Sequence, residues 1–308
     1  MTFDPARYPA RLASLRPDRR SVLAGLALLP GLAGRGFAET PAERPFNLRV
    51  IMSGHSLTDP IPGPLWAMVQ AAGGSAAQGG VIDKETVPGS PIEIRWNDDH
   101  GLVPDARKDI GNYDVLVLTE RVPVRPAMEY HNTNELAVKW FDLAWAEGNH
   151  GKGAETILYA SWISVKSGPG NDDAYDSDEQ TIPFRERLDV EMAAWQEIAD
   201  YVNQNRVAGS PPLRVIPGPK VMAAAYDAIA AGTAPGIAAI EDLFYDNIHI
   251  SDLGAFLFSL AHYAVIYRRD PGGIPVLRGE KMPTPAQQAW MKTLAWDVVR
   301  AYPDSGLA

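Results

Sequence analysis

Residues 47–56 read Asn-Leu-Arg-Val-Ile-Met-Ser-Gly-His-Ser. A short apolar run that ends on a serine–glycine pair is the pattern of a buried strand stopping at a turn. Four more runs extend it. Val81-Ile82 starts a weakly marked second strand, 114–118 (DVLVL) is the clearest strand of the chain, 156–163 (TILYASWI) is a fourth and 213–216 a fifth. Between them lie stretches with helical spacing at 62–73, 135–147 and 184–205, the last carrying Leu188, Met192, Trp195, Ile198, Tyr201 and Val202 on one side. Gly148 stops the second of these helices. Helices are also predicted at 222–231, from a Ser251 cap to about 267, and at 283–300, whereas 165–183 is a polar loop rich in glycine and aspartate. Strands alternating with helices throughout predict an α/β fold with a parallel sheet covered on both faces. No internal repeat and no linker divides residues 39–308, which read as one domain.

The first 38 residues stand apart. Arg7, Arg11, Arg16, Arg19 and Arg20 form a basic segment, residues 22–33 are uncharged and largely apolar, and Gly36-Phe37-Ala38 is a small-x-small cleavage pattern. This is the layout of an export signal, and Arg19-Arg20 before an apolar stretch resembles the twin-arginine type. The apolar stretch, interrupted by Pro30, is short for a membrane span, although an anchor is the alternative reading. A periplasmic or secreted protein is therefore expected. The segment carries six arginines and two aspartates, so its removal takes the net charge from −10 to −14. Such an acidic chain is a poor partner for nucleic acid or an anionic membrane. The chain has no cysteine, which excludes disulfides, thiolate nucleophiles and cysteine–zinc sites.

Two clusters carry the candidate chemistry. Ser53-Gly54-His55-Ser56-Leu57-Thr58-Asp59 follows the first strand directly. In a parallel sheet that is the rim where ligands bind, and Gly54 permits a sharp turn that presents Ser56. A serine hydroxyl needs a base, so this cluster alone reads equally well as a strand-to-helix turn. Asp246-Asn247-Ile248-His249 lies far along the chain. Three-residue spacing lets the carboxylate fold back on one imidazole nitrogen and leaves the other free to take a proton from Ser56. The order Ser, Asp, His recurs in α/β hydrolases.

Taken together, Gly54-His55-Ser56-Leu57 and Asp246-Asn247-Ile248-His249 resemble the SGNH (GDSL-like) hydrolases, across residues 47 to about 268. His55 stands where that family usually has aspartate. The resemblance implies a flavodoxin-like three-layer α/β/α sandwich with a five-stranded parallel sheet in the order 2-1-3-4-5. It also implies ester hydrolysis through an acyl-serine, with no cofactor and no metal. Gly89-Ser90-Pro91 resembles the family's second block, so that Gly89 N–H joins Ser56 N–H in an oxyanion hole. The family's third block normally supplies an asparagine just after the third strand. Here that strand is followed by Thr119-Glu120-Arg121; Asn132 and Asn134 lie farther along the same loop, where they read either as loop or helix-cap residues or as sources of the missing amide, with Asn132 the candidate. An ionised Glu120 accepts only and cannot replace it, but could orient Arg121.

Other signals are weaker. Asn171, Asp172, Asp173, Asp176 and Asp178 lack the spacing of a calcium loop and read as a solvated loop or substrate rim. Trp96 and Trp162 suit either the core or the face of a sugar. His55, His100, His131 and His150 fall into no zinc-hydrolase pattern. The expected function is an exported serine esterase acting on a small-molecule or carbohydrate ester, with acetyl groups as a candidate. The alternative is a non-catalytic glycan-binding module on a retained hydrolase fold.

Overall fold

In the computed structural model, which describes residues 42–172 and 174–307, five strands run parallel in the order β2-β1-β3-β4-β5. They are β1 (Arg49–Gly54), β2 (Val81–Thr86), β3 (Val115–Leu118), β4 (Glu155–Ala160) and β5 (Arg214–Pro217). This is the three-layer α/β/α arrangement and strand order that the motifs imply. The export-signal reading of residues 1–38 falls outside the described residues.

Burial explains which strands were easy to read. All four residues of β3 are buried, as a central parallel strand covered on both faces requires. β2 lies at the edge of the sheet and pairs only with β1, from Arg49 opposite Val81 to Gly54 opposite Thr86. It carries Asp83, Lys84 and Glu85, and Lys84 pairs with Asp59. An edge strand tolerates charge, which is why only its first two residues looked strand-like.

The helices are α1 (Pro62–Ala71), α2 (Ile92–Asn97), α3 (Ala106–Asp109), α4 (Val124–Tyr130), α5 (Thr133–Gly151), α6 (Ser177–Thr181), α7 (Phe184–Asn205), α8 (Gly218–Ala230), α9 (Asp252–Tyr267) and α10 (Pro285–Ala301). α9 packs against α1 and α10 in one layer, and α5 packs against α7 in the other. Every residue of α9 from Gly254 to Tyr267 is buried, because it is wedged between the sheet and two helices. Regular helix in α5 breaks at Gly148, where an added Cβ would lie 2.3 Å from the Cβ of Ala154. Only glycine allows that close approach, and Asn149 and His150 then turn the chain through left-handed conformations toward β4.

One predicted cap works differently. Ser251 precedes α9, but its hydroxyl donates to the Asp242 carbonyl at 2.8 Å and caps no amide of the helix. It therefore closes the loop before the helix. α10 starts two residues later than 283 because Thr284 caps it, accepting from the Gln287 N–H at 3.3 Å.

His262 in α9 is fully buried, with Nδ1 2.8 Å from the Phe258 carbonyl oxygen and its ring edge-on to Tyr159. Burial pushes its pKa down to about 4. Between that value and the ordinary one near 6.5, the unfolded chain holds a proton that the folded chain does not. Stability from neutral His262 is thus present above that window and is lost as pH falls through it. Glu191 has the opposite sign, because burial pushes its carboxyl up to about 7. Comparing His262→Phe with the parent at each pH isolates the histidine. Between pH 7 and 4.5 the stability difference should move in the variant's favour by about 2 kcal/mol, read by calorimetry. A difference independent of pH would refute the assignment.

Candidate active site

Because all five strands are parallel, their carboxyl ends open on one rim, and the loops leaving that rim carry the candidate residues. Ser56 lies two residues beyond β1. The turn that presents it folds Thr58 back over Gly54, and a Cβ on Gly54 would sit 2.1 Å from Thr58 Oγ1. Thr58 N–H donates to the His55 carbonyl at 2.8 Å, which closes the turn.

The second cluster is held on a short, doubly fastened loop. Phe244 and Ile250 form an antiparallel bridge, and Tyr245 N–H donates to the His249 carbonyl at 2.7 Å. Beyond β4, Trp162 Nε1–H donates to the Ile248 carbonyl at 2.8 Å and Val165 N–H to the Asn247 carbonyl at 2.7 Å. These bonds bring Asp246 and His249 to Ser56 across 193 positions of chain. His249 Nε2 lies 2.9 Å from Ser56 Oγ, and His249 Nδ1 lies 2.8 Å from Asp246 Oδ2.

Partial burial pushes the Asp246 carboxyl up. The backbone N–H groups of His249 and Ile248, donating at 2.7 Å and 2.8 Å, together with the His249 ring, outweigh it and hold the group at about 2. Asp246 is therefore an anion at neutral pH and can only accept. Nδ1 must carry the shared proton, and the lone pair of Nε2 is left facing the serine hydroxyl. That tautomer is the one a general base needs.

Ser56, Gly89, Arg121 and His249 line one cavity of about 400 Å³, walled by apolar side chains including Leu57 and Val122. Gly89 adopts a φ of +65°, which favours glycine. Neither the Ser56 N–H nor the Gly89 N–H has an acceptor among the described residues. The structure does not bring Asn132 to this cavity. Its side-chain amide donates to Glu93 Oε1 at 2.9 Å, at the start of α5, where Glu93 also meets His131. An amide tied to a carboxylate there cannot serve an oxyanion at Ser56.

Sequence reasoning missed what lies beneath the rim. Arg95 in α2 is buried and fills its guanidinium with protein acceptors: Ser53 Oγ at 3.1 Å, Ser90 O at 2.7 Å, Ser90 Oγ at 2.9 Å and the Thr119 carbonyl. It thereby ties the end of β1, the Gly89–Ser90 turn and the end of β3 together. Glu120 is buried beside it and accepts from the Ile92 N–H at 3.0 Å, the Arg121 N–H at 2.6 Å and the Thr133 hydroxyl at 2.7 Å. Glu120 thus orients the backbone of Arg121. The sequence signal was available only as charged residues within otherwise apolar or turn-like stretches.

The tryptophans are structural. Trp162 is fully buried and Trp96 packs edge-on against Trp140. In the polar loop, Asp176 and Asp178 pair with buried Arg187, and Tyr175 reaches the rim of the Ser56 cavity. Asp173 lies outside the described residues. Among the described residues no cluster of histidines and carboxylates could hold a metal ion, and no helix is long and apolar enough to cross a membrane.

Trp162→Phe should keep most of the ring packing on Phe258, 4.2 Å away, but leave the Ile248 carbonyl without its donor. If the site is catalytic, kcat should fall about tenfold, because small misplacements of a base are costly, while KM changes little. An unchanged kcat would show that the loop does not need this anchor.

No protein-family model matches the sequence, and no curated protein matches it. Among solved structures, the fold is similar to a DUF4886 family protein from Bacteroides uniformis, with a TM-score of 0.60 and 12% identity over 83% of this chain and 96% of that one. More distant are an acetyl xylan esterase, AlAXEase (TM-score 0.40, 15% identity, 71% of this chain and 100% of that one), and the lipase Lip_vut3 from a goat rumen metagenome (TM-score 0.37, 14% identity, 71% and 98%). At these identities the similarity describes the fold alone.

Proposed function

We propose that this chain is an exported serine esterase of the SGNH type. The observation that carries the proposal is the relay itself, with Ser56 Oγ 2.9 Å from His249 Nε2 and His249 Nδ1 2.8 Å from Asp246. Ser56 Oγ attacks the acyl carbonyl as its proton passes to His249 Nε2. Asp246 stabilises the imidazolium and keeps its orientation. The negative oxygen of the tetrahedral intermediate sits on the Ser56 and Gly89 N–H groups, each such donor being worth roughly 3 kcal/mol in the transition state. His249 then gives the proton to the departing alcohol. In the second half, water loses a proton to His249, attacks the acyl-serine and releases the acid and the free Ser56 hydroxyl.

Export rests on the amino-terminal pattern of Arg19-Arg20, an uncharged stretch and Gly36-Phe37-Ala38. Acetyl groups on carbohydrate are the substrate proposed from that compartment and from the family resemblance. A fluorophosphonate probe tests the mechanism. The mature protein should be labelled, and labelling should vanish in Ser56→Ala and drop sharply in His249→Ala. A protein that takes no label and turns over no p-nitrophenyl acetate near neutral pH would instead be a non-catalytic glycan-binding module.

A further inference from the structure

Arg121 is the unusual residue of the cavity. It is half-buried on the wall shared with Ser56 and His249, and its guanidinium has no hydrogen-bond or ion-pair partner among the described residues. The other described arginines, apart from exposed Arg278, all have a hydrogen-bond or ion-pair partner for the guanidinium, a backbone carbonyl in the case of Arg107. Arg49 pairs with Asp114, for example, Arg125 with Glu197 and Arg185 with Asp227. In a chain of net charge −10, with carboxylates in excess, an unpaired guanidinium in a cavity is exceptional.

The acid next to it in sequence, Glu120, does not pair with its guanidinium. Both oxygens of the Glu120 carboxylate are taken by Ile92 N–H, Arg121 N–H and the Thr133 hydroxyl, and the buried charge it faces is Arg95. Among the described residues no aspartate or glutamate lines the cavity. His55, on the same wall, is held neutral at pH 7 because burial and the nearby Arg95 push it down to about 4. The cavity is therefore a cationic spot with apolar walls on an acidic molecule, the arrangement that draws in an anion. A planar guanidinium with free donors matches a carboxylate best, through two parallel bonds.

We infer that Arg121 anchors an anionic group of the substrate, and that the ester taken by this site carries a carboxylate near the scissile bond. This rests on the esterase reading and adds the substrate class. The carboxylate can belong to the acyl half or to the alcohol half, and two probe pairs separate these cases. On the acyl side, mono-p-nitrophenyl succinate is compared with its neutral methyl ester. On the alcohol side, 4-acetoxybenzoate is compared with methyl 4-acetoxybenzoate.

In at least one pair the charged ester should show a kcat/KM at least tenfold above its neutral counterpart. In Arg121→Gln that ratio should collapse toward one, and in Arg121→Lys it should partly return. No preference for the charged member in either pair, or an equal loss on charged and neutral esters in Arg121→Gln, would overturn the inference. Binding of succinate and benzoate to the full chain, followed by calorimetry, is independent of turnover. Binding that weakens at least tenfold in Arg121→Gln supports the anchor even if no ester is hydrolysed, in which case the esterase reading alone fails. Binding unaffected by the substitution counts against the anchor.

Discussion

Ser56→Ala is expected to lower ester turnover by about 10⁴-fold or more, with the protein folded and its Tm nearly unchanged. Among the described residues the hydroxyl is the one group within hydrogen-bond reach of His249 Nε2, at 2.9 Å. In the proposed mechanism, removing it would delete the acyl-enzyme route, and the two N–H donors that remain would stabilise only a direct attack by water. The sharper form of the prediction concerns additivity. If Ser56 and His249 act on one proton as proposed, Ser56→Ala/His249→Ala should be barely worse than either single change. Asp246→Asn should also cost heavily, because an amide can present its N–H to His249 Nδ1 and favour the wrong tautomer. Steady-state kinetics on p-nitrophenyl acetate across the four variants would check this. Losses that multiply from one variant to the next would show that the three residues are not a unit.

Arg95→Met should be the most damaging single change to stability among the buried polar residues around the site. Arg95 is about 1% exposed and its charge faces Glu120 and Glu85, both buried. Without it, two buried carboxylates lose their counter-charge, while Ser53, Ser90 and Thr119 lose a donor. Breaking a buried pair by removing one partner costs about 3–5 kcal/mol, or roughly 5–10 °C in Tm for a chain of this size. The pH dependence gives the cause away. Burial already pushes the Glu120 carboxyl up, and loss of Arg95 pushes it further. The folded variant would then hold Glu120 protonated where the unfolded chain has it ionised. Its stability should therefore fall, relative to the parent, as pH rises from 5 to 8. Arg95→Met/Glu120→Gln should recover part of the loss. A cost independent of pH, with no recovery in the double variant, would point to lost packing instead. The Gly89–Ser90 turn hangs on Arg95 as well, so the variant should also lose turnover at temperatures where it remains folded.

Much of this architecture is local information. β3 was legible because a central parallel strand is apolar on both faces, and α7 because its apolar residues recur at helical spacing. Gly148 announced the end of regular helix in α5 because no side chain fits against Ala154 there. Ser56, Asp246 and His249 stood out because each sits in a turn beside an apolar run, with residue types that chemistry pairs. The charged edge strand β2 was half hidden because its polarity reflects a missing neighbour, which no local window reveals.

The support of the site was not legible in this way. Arg95, Glu85, Glu120 and Ser53 are far apart in sequence, polar residues at the ends of apolar or turn-like stretches, and the stacking of β1 between β2 and β3 brings them together. The same holds for Asn132, which chain order placed near the third strand and packing gave to Glu93. By itself the sequence determined the order of the strands and long helices, the two chemical clusters and the rim on which they would fall, because these follow from periodicity and residue type, whereas the short helices α2, α3, α4 and α6 were not read from it. Tertiary structure decided which amides and charges face the cavity and which are consumed beneath it. A side chain's partner depends on neighbours distant in sequence, and burial makes that choice expensive to change.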